Sequence, residues 1–106
     1  MNLKKLTILH SNDIHGDFLA EMKDGHSVGG IARMSGYIKA QRQAQNNVLY
    51  VIAGDMLRGS IIDEEFKGIS TMEIINHLEP DIATLGNHET DYGLAHLLFL
   101  EKCATF

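Results

Sequence analysis

Three features of the sequence predict an α/β fold, a βαβαβα parallel sheet with flanking helices. Short apolar runs alternate with longer helix-patterned segments, the order that gives a parallel sheet with right-handed crossovers. The run from Val48 to Ala53 is apolar at every position, as a central parallel strand covered on both faces would be. Each run also leads into a loop rich in Gly, Asp, Asn and His, where α/β sheets bind their ligands.

The first strand is predicted over Leu6 to His10. A helix follows from about Gly30 to Ala44, with Ile31, Met34, Ile38 and Gln41 on one stripe suited to resting on a sheet. Asn46-Asn47 ends it, and Val48 to Ala53 forms the second strand. A second helix is predicted from about Thr71 to Leu78, with Ser70 as N-cap, Glu73 at capping-box spacing and Pro80 as the stop. Ile82 to Leu85 is the third strand, and a third helix runs from about Leu94 to Cys103 with Leu94, Leu97, Leu98 and Glu101 on one face. No internal repeat or linker interrupts this order.

Composition narrows the function. With 106 residues the chain has room for one domain. Nine Lys and Arg stand against 14 Asp and Glu, a net charge of -5, the wrong balance for gripping a phosphate backbone. An anionic substrate would need its positive field from elsewhere, and a metal ion supplies one. Cys103 is the only cysteine, which leaves no internal disulfide. No segment reaches the roughly 20 apolar residues of a membrane span, and Met1 to Lys5 lead directly into a short strand without a signal-peptide core. No nucleic acid, no membrane and a cytoplasmic location are the expectations.

The three strand ends carry the chemistry. The first reads Ser11-Asn12-Asp13-Ile14-His15-Gly16-Asp17, the second Gly54-Asp55-Met56-Leu57-Arg58-Gly59-Ser60, the third Gly86-Asn87-His88-Glu89-Thr90-Asp91-Tyr92-Gly93. Parallel neighbouring strands would bring all three to one rim. Asp13 and His15 are two apart, so an extended segment would point both side chains the same way; carboxylate with imidazole suits Mn, Fe or Zn. Alone, that pair reads as a solvated loop. Asp55 follows the buried strand directly, where a carboxylate is costly unless paired or coordinated; taken alone it fits a turn cap equally well. Asn87 offers a neutral carbonyl oxygen and His88 a switchable proton. Asp91, three residues on, can orient the His88 imidazole. His10 reads as a packed, hydrogen-bonded core histidine, and His26, His77 and His96 as surface or helix-face residues. Arg58 is placed to contact phosphate, but the plainer reading is a solvated loop residue, and Cys103 reads as a small hydrophobe.

Taken together, the segments resemble the amino-terminal part of the calcineurin-like metallophosphoesterases, specifically the 5'-nucleotidase and UDP-sugar hydrolase branch. His10-Ser11-Asn12-Asp13-Ile14-His15-Gly16 stands for that branch's His-Thr-Asn-Asp-x-His-Gly, and Gly29-Gly30-Ile31-Ala32-Arg33 for its Gly-Gly-x-Ala-Arg. Gly54-Asp55 through Gly59-Ser60 matches Gly-Asp-x-x-x-Gly-Ser, and Thr84 through Gly93 matches Thr-Leu-Gly-Asn-His-Glu-Phe-Asp-Tyr-Gly with Thr90 in the Phe place. The resemblance spans essentially the whole chain.

It implies the first half of a metallophosphoesterase αββα sandwich and a metal-dependent phosphoric ester hydrolase of nucleotide catabolism. Two divalent ions (Mn, Zn, Fe, Co or Mg) would activate a hydroxide against a nucleotide or other phosphate ester. Asp13 and His15 would bind the first metal, Asp55 would bridge both and Asn87 would bind the second. His88 would stabilise the transition state or protonate the leaving group, with Asp91 supporting it; Asn87 and His88 would also contact substrate. Residues 1–106 would then be the amino-terminal portion of the catalytic domain. The family's later Gly-His and Gly-His-x-His segments, which complete both metal sites, and its nucleoside-recognising carboxyl-terminal domain have no counterpart in them. Self-association and little turnover by these residues alone are expected. The alternative is a non-catalytic metal-binding or oligomerising fragment of such an enzyme.

Overall fold

The computed structural model describes residues 1–106. Strand β1 (Thr7–Ser11) is followed by a hairpin of β2 (Glu21–Lys23) and β3 (His26–Val28), then helix α1 (Ile31–Ala44) and strand β4 (Val48–Ala53). Helices α2 (Ile61–Glu65) and α3 (Ile69–Asn76), strand β5 (Ile82–Thr84), a 3-10 turn (His88–Thr90) and helix α4 (Leu94–Cys103) complete the chain. No helix is long and apolar enough to cross a membrane.

The main sheet is parallel in the order β1-β4-β5, with Leu9 beside Tyr50 and Ile52 beside Ala83. The predicted strands and parallel topology are therefore present. The first strand lies one residue further on than expected, and the third ends before Leu85.

Cover on both faces of β4 is not what the fold provides. Tyr50 and Ile52, two apart, are buried on one face against Ile38 of α1 and against Leu57 and Ile75. Their neighbours on the other face, Ile8 and His10 in β1 and Ile82 in β5, are exposed. The reason is the strand order. Two right-handed crossovers stepping in one direction place the connecting helices, α1 and then α2 with α3, on the same side of the sheet. His10 is accordingly an exposed residue of the open face and not the packed core histidine expected.

Helix α1 turns the predicted stripe inward, with Ile38 2% exposed and Ile31, Met34 and Gln41 partly buried. Arg42 in its last turn reaches the carbonyl of Glu79 at 2.7 Å and the Asp81 carboxylate at 2.8 Å. The same Asp81 oxygen accepts the Tyr50 N–H at 2.7 Å, tying the helix to the start of β5 and to β4.

Two helix predictions are corrected. The box Ser70 to Glu73 does not cap α3: the helix starts at Ile69 behind Gly68, whose φ of 81° is left-handed, and Ser70 donates instead to the Ile62 carbonyl at 3.0 Å. A Cβ on Gly68 would lie 2.8 Å from a Leu57 methyl, so close packing as well as φ reserves that position for glycine. In α4 the expected stripe is largely exposed, Leu94 at 67% and Leu98 at 52%, whereas Leu100 is buried. The helix is rotated by its ties to α3 and the loop before it. His96 Nε2 meets the Lys67 carbonyl at 2.6 Å, and the Cys103 carbonyl accepts from Asn76 at 2.9 Å. Leu94, Leu97, Leu98 and Glu101 then line an open apolar trough of about 530 Å³ beside β5.

Candidate metal centre

The parallel register brings the three loops together, and the backbones continue side by side past the strands. Asp13 N–H donates to the Gly54 carbonyl at 3.1 Å, His15 N–H to that of Asp55 at 3.1 Å and Gly16 N–H to that of Met56 at 3.0 Å. Gly54 (φ 84°) and Gly86 are where the second and third loops touch. A Cβ on Gly54 would sit 2.6 Å from the Gly86 nitrogen, and one on Gly86 would run into the Asp55 carboxylate.

Asp13, His15 and Asp55 form one cluster, with one ligand atom from each lying within 4.8 Å of the others. They do not meet through strand alternation, as an extended Asp-x-His would. Asp13 (φ 53°), His15 (φ 51°) and Asp55 (φ 51°) are all left-handed, as is Arg58 (φ 70°). A non-glycine residue there costs roughly 1–2 kcal/mol, so the loops hold backbone strain in gathering these side chains around one cavity. Asp24, Asn47, Lys67 and Glu79 adopt the same conformation away from the cluster.

Each side chain is oriented by a neighbour. His15 Nδ1 lies 3.1 Å from the Leu57 carbonyl oxygen, so an Nδ1–H tautomer donates there and leaves the Nε2 lone pair, 3.5 Å from Asp13 Oδ1, free for a cation. Asn12 donates its side-chain N–H to Asp13 Oδ2. Asp55 Oδ1 accepts the His88 N–H at 3.1 Å, which fixes its carboxylate at the mouth of the third loop. Two carboxylates and an imidazole make a mixed oxygen–nitrogen donor set that fits a divalent transition metal.

His88 sits beside this cluster, its ring 5.3 Å from that of His15 in an edge-on arrangement. Its Nδ1 is 2.7 Å from Asp91 Oδ2. That hydrogen bond, aided by the charges of Asp91 and Asp55, holds the imidazole pKa above its ordinary value, with burial and Arg58 opposing. Asn87 is exposed at the head of the 3-10 turn and makes no side-chain capping bond. Asp13, His15, Asp17, Arg58, Ser60, Glu64 and His88 line a single polar cavity of about 800 Å³.

Two buried acids carry no expected role, since a lone Glu or Asp gives no periodic signal. Glu89 is 1% exposed, and its carboxylate accepts the N–H groups of Asp55 at 2.9 Å, Met56 at 2.6 Å, Leu57 at 3.2 Å and also Gly86. Asp63 is fully buried and accepts from Arg58 N–H at 2.7 Å, from the Tyr92 hydroxyl at 2.8 Å and from Thr71. Arg58 is half-buried rather than solvated, with Nε 3.4 Å from Asp91 Oδ2 and its guanidinium 5.2 Å from the Tyr92 ring centre.

The family model for calcineurin-like phosphoesterases matches residues 6–105. Among curated proteins, the snake venom 5'-nucleotidase of Crotalus adamanteus is 38% identical over 100 residues, covering 89% of this chain and 17% of the relative. The 5'-nucleotidase of Homo sapiens is 36% identical over 101 residues, covering 89% of this chain and 18% of the relative. Among solved structures, the 5'-nucleotidase precursor from Thermus thermophilus superposes with a TM-score of 0.87 at 30% identity, over 95% of this chain and 21% of that one. The chain spans about a fifth of the length of these relatives.

Proposed function

The chain belongs to the calcineurin-like phosphoesterase family, and from that membership we propose that it supplies metal ligands and a proton donor to a phosphoric ester hydrolase of the 5'-nucleotidase type. The observation that carries this reading is the meeting of Asp13, His15 and Asp55 in one cluster beside the hydrogen-bonded pair His88 and Asp91. The similarity to 5'-nucleotidases supports a nucleotide as the ester.

Asp13, His15 and Asp55 would hold a first divalent metal, and Asp55 with Asn87 would contribute to a second. Such ions would supply the positive field that a phosphate ester needs and a source of hydroxide near neutral pH. The chain's own residues do the rest. The Leu57 carbonyl keeps His15 in the tautomer that binds through Nε2. Asp91 holds the proton on Nδ1 of His88, so Nε2 of the imidazolium delivers a proton to the departing oxygen. The Asp55 contact with the His88 N–H keeps metal ligand and acid in fixed relation.

Phosphate release from AMP in the presence of Mn²⁺ tests the reading. Little release by these residues alone is expected, and whatever rate the parent shows is expected to fall in His88→Ala, by up to roughly the 100- to 10,000-fold that general acid catalysis is usually worth, with Mn²⁺ content unchanged. A variant that keeps the parent's rate removes His88 from the chemistry.

A further inference from the structure

Asp63 is fully buried in α2 and lies outside the cation cluster. Resting on the reading above, we infer that Asp63 is a positioning residue for the metal ligand His15, acting through the peptide group between Leu57 and Arg58.

The two oxygens of this carboxylate face different ways. Oδ1 accepts from the hydroxyl of Thr71, itself fully buried in α3, and so is tied to the core. Oδ2 accepts the Arg58 N–H at 2.7 Å and the Tyr92 hydroxyl at 2.8 Å, one donor from the second loop and one from the third. The first loop touches the same side chain. A Cβ on Gly16, the residue after His15, would lie 2.9 Å from the Asp63 Cβ. No ion pair includes Asp63, so hydrogen bonds alone hold it. Stability by itself does not call for an acid here, because apolar groups of the same shape can replace a buried hydrogen-bonded set at little cost.

The Arg58 N–H belongs to the same planar peptide group as the Leu57 carbonyl. That carbonyl oxygen is the one 3.1 Å from His15 Nδ1. Fixing one end of the plane fixes the other, and a hydrogen bond to the N–H strengthens the carbonyl as an acceptor. With φ of 70°, Arg58 is not in the conformation a non-glycine residue takes unaided, and the Asp63 bond holds it there. Asp63 Oδ2, the peptide group and His15 Nδ1–H thus form one hydrogen-bonded line. It keeps the proton on Nδ1 and leaves the Nε2 lone pair, which faces Asp13, for the metal.

Zn²⁺ binding to the 106-residue chain, followed by calorimetry and by NMR of the histidine ring nitrogens, tests the inference. In the zinc-loaded parent, His15 is expected to carry its proton on Nδ1. Asp63→Ala is expected to weaken Zn²⁺ by roughly 10- to 100-fold, the usual worth of an outer partner of a ligand. It is also expected to mix the two His15 tautomers while leaving the circular dichroism unchanged. Asp63→Ser keeps a hydroxyl but is too short to reach the Arg58 N–H, and it takes the place of Asp63→Ala if that variant does not fold. Tyr92→Phe also removes a hydrogen bond from Asp63 but leaves the Arg58 N–H held, so it is expected to keep the parent's affinity. Equal Zn²⁺ binding by the parent and Asp63→Ala overturns the inference, as does a zinc-loaded parent with no proton on His15 Nδ1. An equal loss in Tyr92→Phe and Asp63→Ala overturns it too, since Asp63 is then a general support of the loops. A parent chain that takes up no Zn²⁺ sinks the metal-centre reading itself.

Discussion

Glu89 is the residue on which the geometry of the candidate site most depends. Its buried carboxylate gathers N–H groups from Asp55, Met56, Leu57 and Gly86, joining the second strand-end loop to the third. Truncation leaves those donors without an acceptor, and each buried unpaired group costs about 1–3 kcal/mol. Glu89→Ala is therefore expected to destabilise the chain by about 3 kcal/mol or more, with Glu89→Gln milder because it keeps one carbonyl oxygen. Urea unfolding measures both, and a cost for Glu89→Ala under about 1 kcal/mol contradicts this role. The role was not legible beforehand: Glu89 lies inside the matched motif, but which backbone groups it meets depends on two loops closing over it. His88 belongs to the same scale. The Asp91 hydrogen bond raises its folded pKa above 6.5, so the stability of the protonated form is fully present below that pH and is lost as pH rises through the raised value. In an NMR titration Asp91→Asn is expected to move the His88 midpoint down toward 6.5. An unmoved midpoint contradicts the coupling.

At the scale of elements, what could be read in advance had a pattern long enough to show. Val48 to Ala53 reads as a strand because six successive residues are apolar. Helix α1 reads correctly because Ile31, Met34 and Ile38 recur at helical spacing. The hairpin of β2 and β3 has strands of three residues each, too short for alternation to register. Its one signal is Asp24-Gly25, both at positive φ, the dipeptide that favours a tight two-residue turn. Helix α4 shows the opposite case, in which the element was found and its inward face was not. Leu94, Leu97, Leu98, Phe99 and Leu100 spread large hydrophobes around the helix and leave periodicity unable to choose a face. The ties of His96 and Cys103 choose it instead. The site itself was legible as residues but not as geometry. Asp13 and His15 converge through left-handed backbone rather than an extended strand.

As a whole the molecule is a slab of 49 × 39 × 19 Å with a radius of gyration of 15.2 Å, against about 13 Å for a compact chain of this length. One face of its sheet is bare, with Ile8 and Ile82 exposed, and β1 and β5 each leave an edge without a partner strand. Open edges and contiguous apolar surface favour association. Sedimentation velocity of the isolated chain at micromolar concentration is expected to show dimers or larger species; a monomer throughout contradicts it. The proposed cation site is built by the first two strand ends, with Asp55 held by the His88 N–H of the third, and calorimetric titration with Mn²⁺ tests it most directly. The parent chain is expected to bind, and Asp55→Ala to weaken binding by more than about tenfold, the loss that even an outer partner of a ligand can cause. Asp17→Ala, which lines the same cavity outside the cluster, is expected to leave affinity intact. Equal binding by the parent and Asp55→Ala would contradict the metal centre.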